Sequence, residues 1–244
     1  MLKRIAAALR GRRFGLRSRP LGDGSYTIDV EGEPVTLYHS PFNLDWITEL
    51  GLDVRCILEL GSYDGGDAYR FRRAFPDARV ITVEADPTRH DIVKRNLSGQ
   101  EIEVVNCAAC ATDGDVDWYV ATIDGAPHAQ GSMFRHSESY QRKFPQVQQA
   151  ATPTKVPGRR FDTLARELSA ESIDLLYMDI EGAEHNVLQS LGNIRPRLIY
   201  LEWRRDYFEG AGSSAETERL LAEMGYQLIL LKKSDRMYYL PDAG

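Results

Sequence analysis

Short apolar runs and amphipathic stretches alternate along most of this chain. VRCILEL (54–60), RVITVEA (79–85), EIEVVNCA (101–108), IDLLYMDI (173–180) and RLIYLEW (197–203) are rich in β-branched and large apolar residues, which predicts strands. Between them, GDAYRFRRAF (66–75), stopped by Pro76, PTRHDIVKRNL (87–97), FDTLAREL (161–168) and AEHNVLQSL (183–191) carry helical spacing. SAETERLLAEMG (214–225) predicts a helix with a serine cap and a closing glycine. TIDVEGEPVTLY (27–38) has the alternation of a hairpin with Glu-Gly at its turn, and YQLILLK and RMYYL predict an antiparallel pair at the end of the chain. DVDWYVA (115–121) predicts one extra strand.

Repeated β-α units predict an α/β fold, doubly wound, with a mostly parallel sheet covered by helices on both faces. The pattern divides the chain into a basic segment and hairpin extension, 1–50, and a main domain, 51–244. Residues 122–157 (TIDGAPHAQGSMFRHSESYQRKFPQVQQAATPTKVP) show no strong periodicity and read as an insertion, a lid or substrate loop. In such sheets ligands bind outside the carboxyl ends of the strands, near the topological switch point.

Composition narrows the function classes. The chain has 244 residues, 43% hydrophobic and 27% charged, enough for an ordinary core. Residues 1–20 carry seven Lys/Arg and no acid, while the rest holds 23 basic and 36 acidic residues. That acidic body argues against a nucleic-acid partner. In the basic segment Leu2, Ile5, Ala6 and Leu9 have helical spacing, which suits either peripheral contact with an anionic membrane face or a solvated terminus. IAAAL is too short an apolar core for a secretory signal. Three cysteines, Cys56, Cys107 and Cys110, form neither a disulfide framework nor a zinc set, and fit a reducing cytoplasm. CAAC ends a strand rather than opening a helix, so it reads as small buried residues and not as a redox pair. No feature specifies an oligomeric state.

The loop ELGSYDGG (59–66) lies between the first strand of the run and a helix. Glycines there let a ligand approach the backbone, and a helix N-terminus favours anionic groups. Glu84 ends the next strand, 23 residues after Gly61, where a carboxylate accepts hydrogen bonds from both ribose hydroxyls. Together these features point to a nucleoside cofactor. A dinucleotide fingerprint needs a second glycine where Tyr63 stands, and that glycine admits a pyrophosphate. S-adenosylmethionine has none. The candidate cofactor residues are Glu59, Gly61, Ser62, Tyr63, Gly65, Glu84 and the following Ala85 and Asp86.

ILELGSYDGG, ITVEADP, NCAACATDGD, FDTL, DLLYMDIEGAEHNVL and LIYLEW, in this order over residues 54–204, resemble the FkbM-type methyltransferases. The most specific element is DIEGAEH after the apolar strand, with FDTL upstream. The resemblance implies a class I, Rossmann-like S-adenosylmethionine-dependent fold with a seven-stranded sheet. It implies O-methylation of a hydroxyl, often on sugars, glycans or polyketides. It further implies that Glu59, Gly61 and Gly65 line the methionine end of the cofactor, that Glu84 holds the ribose, and that Cys107 and Ala108 lie near the adenine edge. The family often has Asn where Tyr63 stands, and Asp64 is a second departure.

Methyl transfer to a hydroxyl needs alignment and a proton acceptor. Asp179, at a strand end, is the first candidate, as base or as partner of the cofactor's ammonium. Glu181 and Glu202 follow, and His136 is a candidate base delivered by the insertion. Glu184, in the first helical turn, is accounted for by the helix dipole. Buried carboxylates need partners, and Arg204 and Arg205 are at hand. Asp179, Glu181 and Glu202 could also hold magnesium or calcium, a reading not favoured over a metal-free cleft. Phe134, Tyr140, Trp203, Tyr207 and Phe208 are candidates to stack on a sugar ring. Two other functions are open at this point: an NAD-dependent oxidoreductase, and a non-catalytic nucleoside-binding module of a glycan-synthesis assembly.

Overall fold

Adjacent residues of each central strand face opposite cores. Ile57, Leu175 and Leu198 pack on one side with Phe42, Ile47 and Phe71; Leu58, Leu176 and Ile199 pack on the other with Phe161, Val187 and Leu188. Continuous apolar runs are what a sheet buried on both faces requires. The computed structural model describes residues 24–203 and 207–241. The basic segment 1–20 and its membrane reading, and the partners Arg204 and Arg205, lie outside the described residues.

The first elements are the antiparallel hairpin β1 (Ser25–Val30) and β2 (Glu33–Tyr38), then a short helix, α1 (Asp45–Leu50), that the periodicity does not announce. Alternation follows: β3 (Cys56–Leu60), α2 (Gly66–Ala74), β4 (Arg79–Glu84), α3 (Pro87–Asn96) and β5 (Ile102–Asn106). After a second set of strands the chain returns through α5 (Phe161–Glu167), β11 (Leu175–Met178), α6 (Glu184–Gln189), β12 (Leu198–Glu202), α7 (Ser214–Glu223), β13 (Gln227–Lys232) and β14 (Asp235–Tyr239).

The large sheet has seven strands in the order β13-β14-β12-β11-β3-β4-β5. The five strands β12, β11, β3, β4 and β5 are parallel, and β14 runs antiparallel to both β12 and β13. The chain winds outward from β3 through β4 to β5, then restarts on the other side of β3 with β11. The switch point therefore lies between the ends of β3 and β11.

EIEVVNCA is not one strand. β5 stops at Asn106, and β6 (Ala108–Cys110) belongs to a second, five-stranded sheet with β7 (Gly114–Ile123), β8 (Ala126–Ser132), β9 (Gln148–Gln149) and β10 (Thr154–Arg160). The Asn106 amide donates to the carbonyls of Glu84 (2.8 Å) and Ala85 (3.3 Å), tying down the point where the chain leaves the large sheet. Residues 122–157, where the sequence pattern offers no strand, thus carry β8, α4 (Glu138–Lys143), β9 and the start of β10. Their order comes from pairing with β7, not from local propensity.

Candidate active site

A cavity of about 370 Å³ opens at the switch point. Its floor is the pair of strand ends after β3 and β11. The Asp179 N–H donates to the Leu60 carbonyl (3.0 Å), and Gly61 N–H donates to the Val83 carbonyl (2.9 Å). Gly61 sits at φ 88°, and a Cβ there would collide with the Asp179 carbonyl. Glycine is therefore needed both for its conformation and for the approach of the two strands.

Glu84 organises the nucleoside side. One carboxyl oxygen accepts from the main-chain N–H groups of Ser62 (3.3 Å) and Tyr63 (3.1 Å), and the other from Asp86 (2.9 Å). The acid at the end of the second strand thus holds the glycine loop of the first. Burial pushes its carboxyl up to about 7, opposed by those three N–H donors. Asp86 caps α3 through the N–H groups of Thr88 and Arg89, with Pro87 at the first helical position.

Of the candidate cofactor residues, Gly61, Ser62, Tyr63, Glu84, Ala85, Cys107 and Ala108 line the cavity. Glu59, Gly65 and Asp86 do not, and each supports the wall from behind. Gly65 (φ 93°) opens α2 and leaves no room for a side chain against Leu97. Glu59 is buried in β3, accepts from the Thr82 hydroxyl, and is pushed well above the usual carboxylate range by burial and then by Asp67. Tyr63 is 40% exposed with φ 56°, and the Arg89 guanidinium lies 4.6 Å over its ring. Non-glycine residues rarely hold that conformation, so the loop is strained where it borders the cavity.

The opposite lip repeats the theme. Glu181 has φ 51° and is followed by Gly182 at φ 104°. Glu184 folds back so that its carboxylate accepts from the N–H groups of Ile180 (3.3 Å) and Gly182 (3.4 Å), and burial pushes it up to about 7. The Ser132 hydroxyl donates to the Glu181 carbonyl (2.7 Å). Helix and small sheet together hold this turn, and both Asp179 and Glu181 line the cavity.

Glu202 and His136 stand elsewhere. Glu202 ends β12, accepts from the Ser234 hydroxyl (3.1 Å), and is not among the cavity walls. His136 is 2% exposed, with its Nε2 2.9 Å from the Gln130 carbonyl and its ring 4.0 Å from that of Tyr140. Burial lowers its pKa. None of Phe134, Tyr140, Trp203, Tyr207 and Phe208 lines the cavity. The aromatic residues that do are Tyr38, Tyr63, Trp118 and Tyr177. Among the described residues no group of three or more His, Cys, Asp or Glu side chains could hold a metal ion.

Sequence reasoning misses the contribution of the hairpin extension. Tyr38, His39 and Ser40 form a strap along the cavity wall. The Asp67 carboxylate accepts from Ser40 N–H (2.8 Å) and from Arg70 (2.7 Å), while the Tyr177 hydroxyl donates to the Ser40 hydroxyl (2.8 Å). Tyr38 N–H donates to Asp64 (2.9 Å), whose carboxyl burial pushes up to about 6. No local signal announces these contacts, because Ser40 and Tyr177 are 137 residues apart. The small sheet adds Trp118, His128, Gln130 and Met133.

The cavity fits a nucleoside-bearing ligand on its own evidence. Ser62 and Trp118 line the cavity, and the Ser62 hydroxyl and the Trp118 indole N–H are buried with no hydrogen-bond partner within the protein. Buried polar groups left in that state need a ligand or water to satisfy them. A doubly wound sheet with such a cavity at its switch point, an acid ending its second strand, and a glycine turn with no second glycine defines the class I, Rossmann-like methyltransferase architecture. The methyltransferase FkbM domain matches residues 59–228, and the chain belongs to that S-adenosylmethionine-dependent family. Membership sets aside the dinucleotide oxidoreductase.

Two curated relatives are similar. The 2-O-methyltransferase NoeI of Sinorhizobium fredii (strain NBRC 101917 / NGR234) is 29% identical over 161 residues, 63% of this chain and 65% of that protein. The chain thus spans slightly under two thirds of NoeI. The methyltransferase sdnD of Sordaria araneosa is 23% identical over 209 residues, 76% of this chain and 77% of that protein. Among solved structures, S-adenosylmethionine-bound CalS10, an amino pentose methyltransferase from Micromonospora echinaspora, aligns with 80% of this chain and 86% of its own, at 10% identity and a TM-score of 0.43.

Proposed function

We propose that this protein is an O-methyltransferase that uses S-adenosylmethionine to methylate a hydroxyl of a sugar, glycan or related natural product. The observation that carries the reading is the joining, in one cavity, of the Gly61–Glu84 nucleoside side with the carboxylate side, Asp179 and Glu181. S-adenosylmethionine, when bound, supplies an electrophilic methyl group on a sulfonium centre. The chain's residues hold the reactants and move a proton. The Glu84 carboxylate accepts the two ribose hydroxyls. Ser62 and the strap residues Ser40 and Asp67 bound the amino-acid end.

Asp179 accepts the proton of the acceptor hydroxyl as its oxygen attacks. Its main chain is pinned to Leu60 and crowded by Gly61, so its carboxylate starts from a fixed point beside the glycine loop. Alignment of this kind supplies roughly 7–11 kcal/mol of a barrier, and a positioned base a further ~10²–10⁴-fold. Glu181, held by Ser132 and by the turn that Glu184 pins, orients the acceptor. Acceptor hydroxyls also meet His128 and Gln130 of the small sheet, a polar wall suited to a polyhydroxylated ring.

The similarity to a 2-O-methyltransferase supports oxygen rather than nitrogen as the acceptor atom. In this reading the acceptor is a small molecule or glycan rather than a nucleic acid, in keeping with the acidic body of the chain. The reaction runs in the reducing cytoplasm, in keeping with three buried free cysteines, and the basic segment 1–20 brings the enzyme to an anionic membrane face. No helix among the described residues is long and apolar enough to cross a membrane.

The test is thermal unfolding with S-adenosylmethionine, S-adenosylhomocysteine and NAD, followed by an acceptor screen read as S-adenosylhomocysteine formed. A ligand at 100 times its Kd stabilises by about 2.7 kcal/mol, which raises Tm by roughly 5–10 °C for a domain of this size. A rise with the two adenosyl ligands only, and turnover with a saccharide or polyol acceptor, is expected. A rise with NAD alone would overturn the reading.

A further inference from the structure

The small sheet over the cavity invites the view that it serves the acceptor alone. One of its residues points to a second role. Trp118, in β7, is 8% exposed and borders the cavity. Its indole packs in one cluster with Ala108, Ala85, Met133 and Val156. Ala85 directly follows Glu84, and Ala108 opens β6 just past the end of β5. The cavity wall beside Glu84 is thus made of the methyl groups of Ala85 and Ala108 with the indole of Trp118 packed against them.

Small residues, Ala85, Ala108, Ala109, Ala129 and Gly131, recur among the walls of the cavity, and Ala85, Ala108 and Gly131 are the ones beside Trp118. Gly131 has an ordinary backbone conformation, yet a Cβ there would lie 3.1 Å from the indole Nε1 and Cζ2 of Trp118. The glycine is thus explained by the indole's position and not by a turn. This wall also has one unmet polar demand, the buried indole N–H, which has no partner in the protein. An indole donates and cannot accept. Its complement is a flat aromatic group with an accepting ring nitrogen.

We infer that Trp118 reads the base of the cofactor: it walls the purine slot from the side of the inserted sheet and donates its indole N–H to a purine ring nitrogen. The inference deepens the methyltransferase reading and rests on it. It also makes the sheet over the cavity part of the cofactor site. His128, Gln130 and Met133, from the same sheet, line the same cavity.

The test is equilibrium binding by calorimetry to the full chain, with S-adenosylhomocysteine and its 1-deaza, 3-deaza and 7-deaza purine analogues. Each analogue replaces one ring nitrogen by C–H. Wild type should bind one of the three about 10-fold more weakly than S-adenosylhomocysteine, because a buried donor is left unmet. Trp118→Phe, which keeps a ring and removes the donor, should bind S-adenosylhomocysteine about 10-fold more weakly and no longer distinguish that analogue. Gly131→Ala keeps the indole and crowds it, and should weaken binding several-fold while leaving the analogue preference in place.

Equal binding of all three analogues to wild type would overturn the inference, as would discrimination that survives in Trp118→Phe. The wild-type series needs no variant, so the result stands even if Trp118→Phe does not fold. Failure of folded wild type to bind S-adenosylhomocysteine at all is a different outcome: it overturns the methyltransferase reading and this inference with it.

Discussion

A side chain on Gly61 would collide with the main-chain carbonyl of Asp179. The loop that receives the cofactor and the residue proposed to take the acceptor's proton are therefore set against one another by backbone contact. Neither can move without the other. Gly61→Ala should cost at least about 2 kcal/mol, from the left-handed conformation and the collision together. For a domain of this size that lowers Tm by roughly 4–8 °C. Calorimetric titration should show S-adenosylhomocysteine affinity falling as well.

Asp179→Asn keeps the size of the side chain and removes its basicity. S-adenosylhomocysteine affinity should stay within a few-fold of wild type, while transfer falls by about 10²-fold or more. Glu202→Gln is the control. Glu202 bonds to Ser234 and does not border the cavity, so kcat should stay within a few-fold. Single-turnover measurement on both variants separates the roles. Unimpaired transfer by Asp179→Asn would remove it as the base.

Glu84 links ligand binding to pH. In the ligand-free protein its carboxyl lies near 7, above its ordinary value of 4.5. Its protonation therefore contributes stability that is full below about 4.5 and is lost as pH rises through about 7. Hydroxyl donors from a ribose favour the charged form, so affinity for S-adenosylhomocysteine should rise between pH 6 and pH 8, a window set by that value. Glu84→Gln should bind more weakly and show a flatter pH profile. A profile as steep in the variant as in wild type would mean that another group carries the linkage.

The cysteines should be inert in the folded protein. Cys56, Cys107 and Cys110 are buried and free. Burial pushes the Cys107 thiol up to about 12, and the Cys110 thiol donates to the Thr112 carbonyl (3.1 Å). Iodoacetamide at pH 8 should label none of them before unfolding and all three in urea, as mass spectrometry would show. Rapid native labelling of Cys107 would mean that the cavity wall opens.

The strands and helices of the large sheet were legible because each is long enough for its own pattern to be decisive. Ile57 and Leu58, or Leu198 and Ile199, are apolar in succession because both faces are covered. Glu84 was legible as an acid ending the second strand. The small sheet was not. β8 reads APHAQGS, with no β-branched residue, and β9 is two glutamines; their pairing with β7 supplies what their composition lacks. His136 looks like a loop base in sequence because nothing local shows Tyr140 and Phe208 closing around it. Ser40 and Trp118 enter the cavity through contacts that no window of sequence spans.

The chain leaves the large sheet after Asn106, builds the five-stranded one, and returns through α5 to the large sheet at β11. None of the smaller sheet's strands is inserted among the seven of the large sheet, so the excursion adds nothing to the order in which they pair. Drift within residues 108–160 can reshape the roof of the cavity while Gly61, Glu84 and Asp179 stay fixed in the floor. One scaffold can in this way be turned toward new acceptors, provided that each new roof still offers the purine its wall.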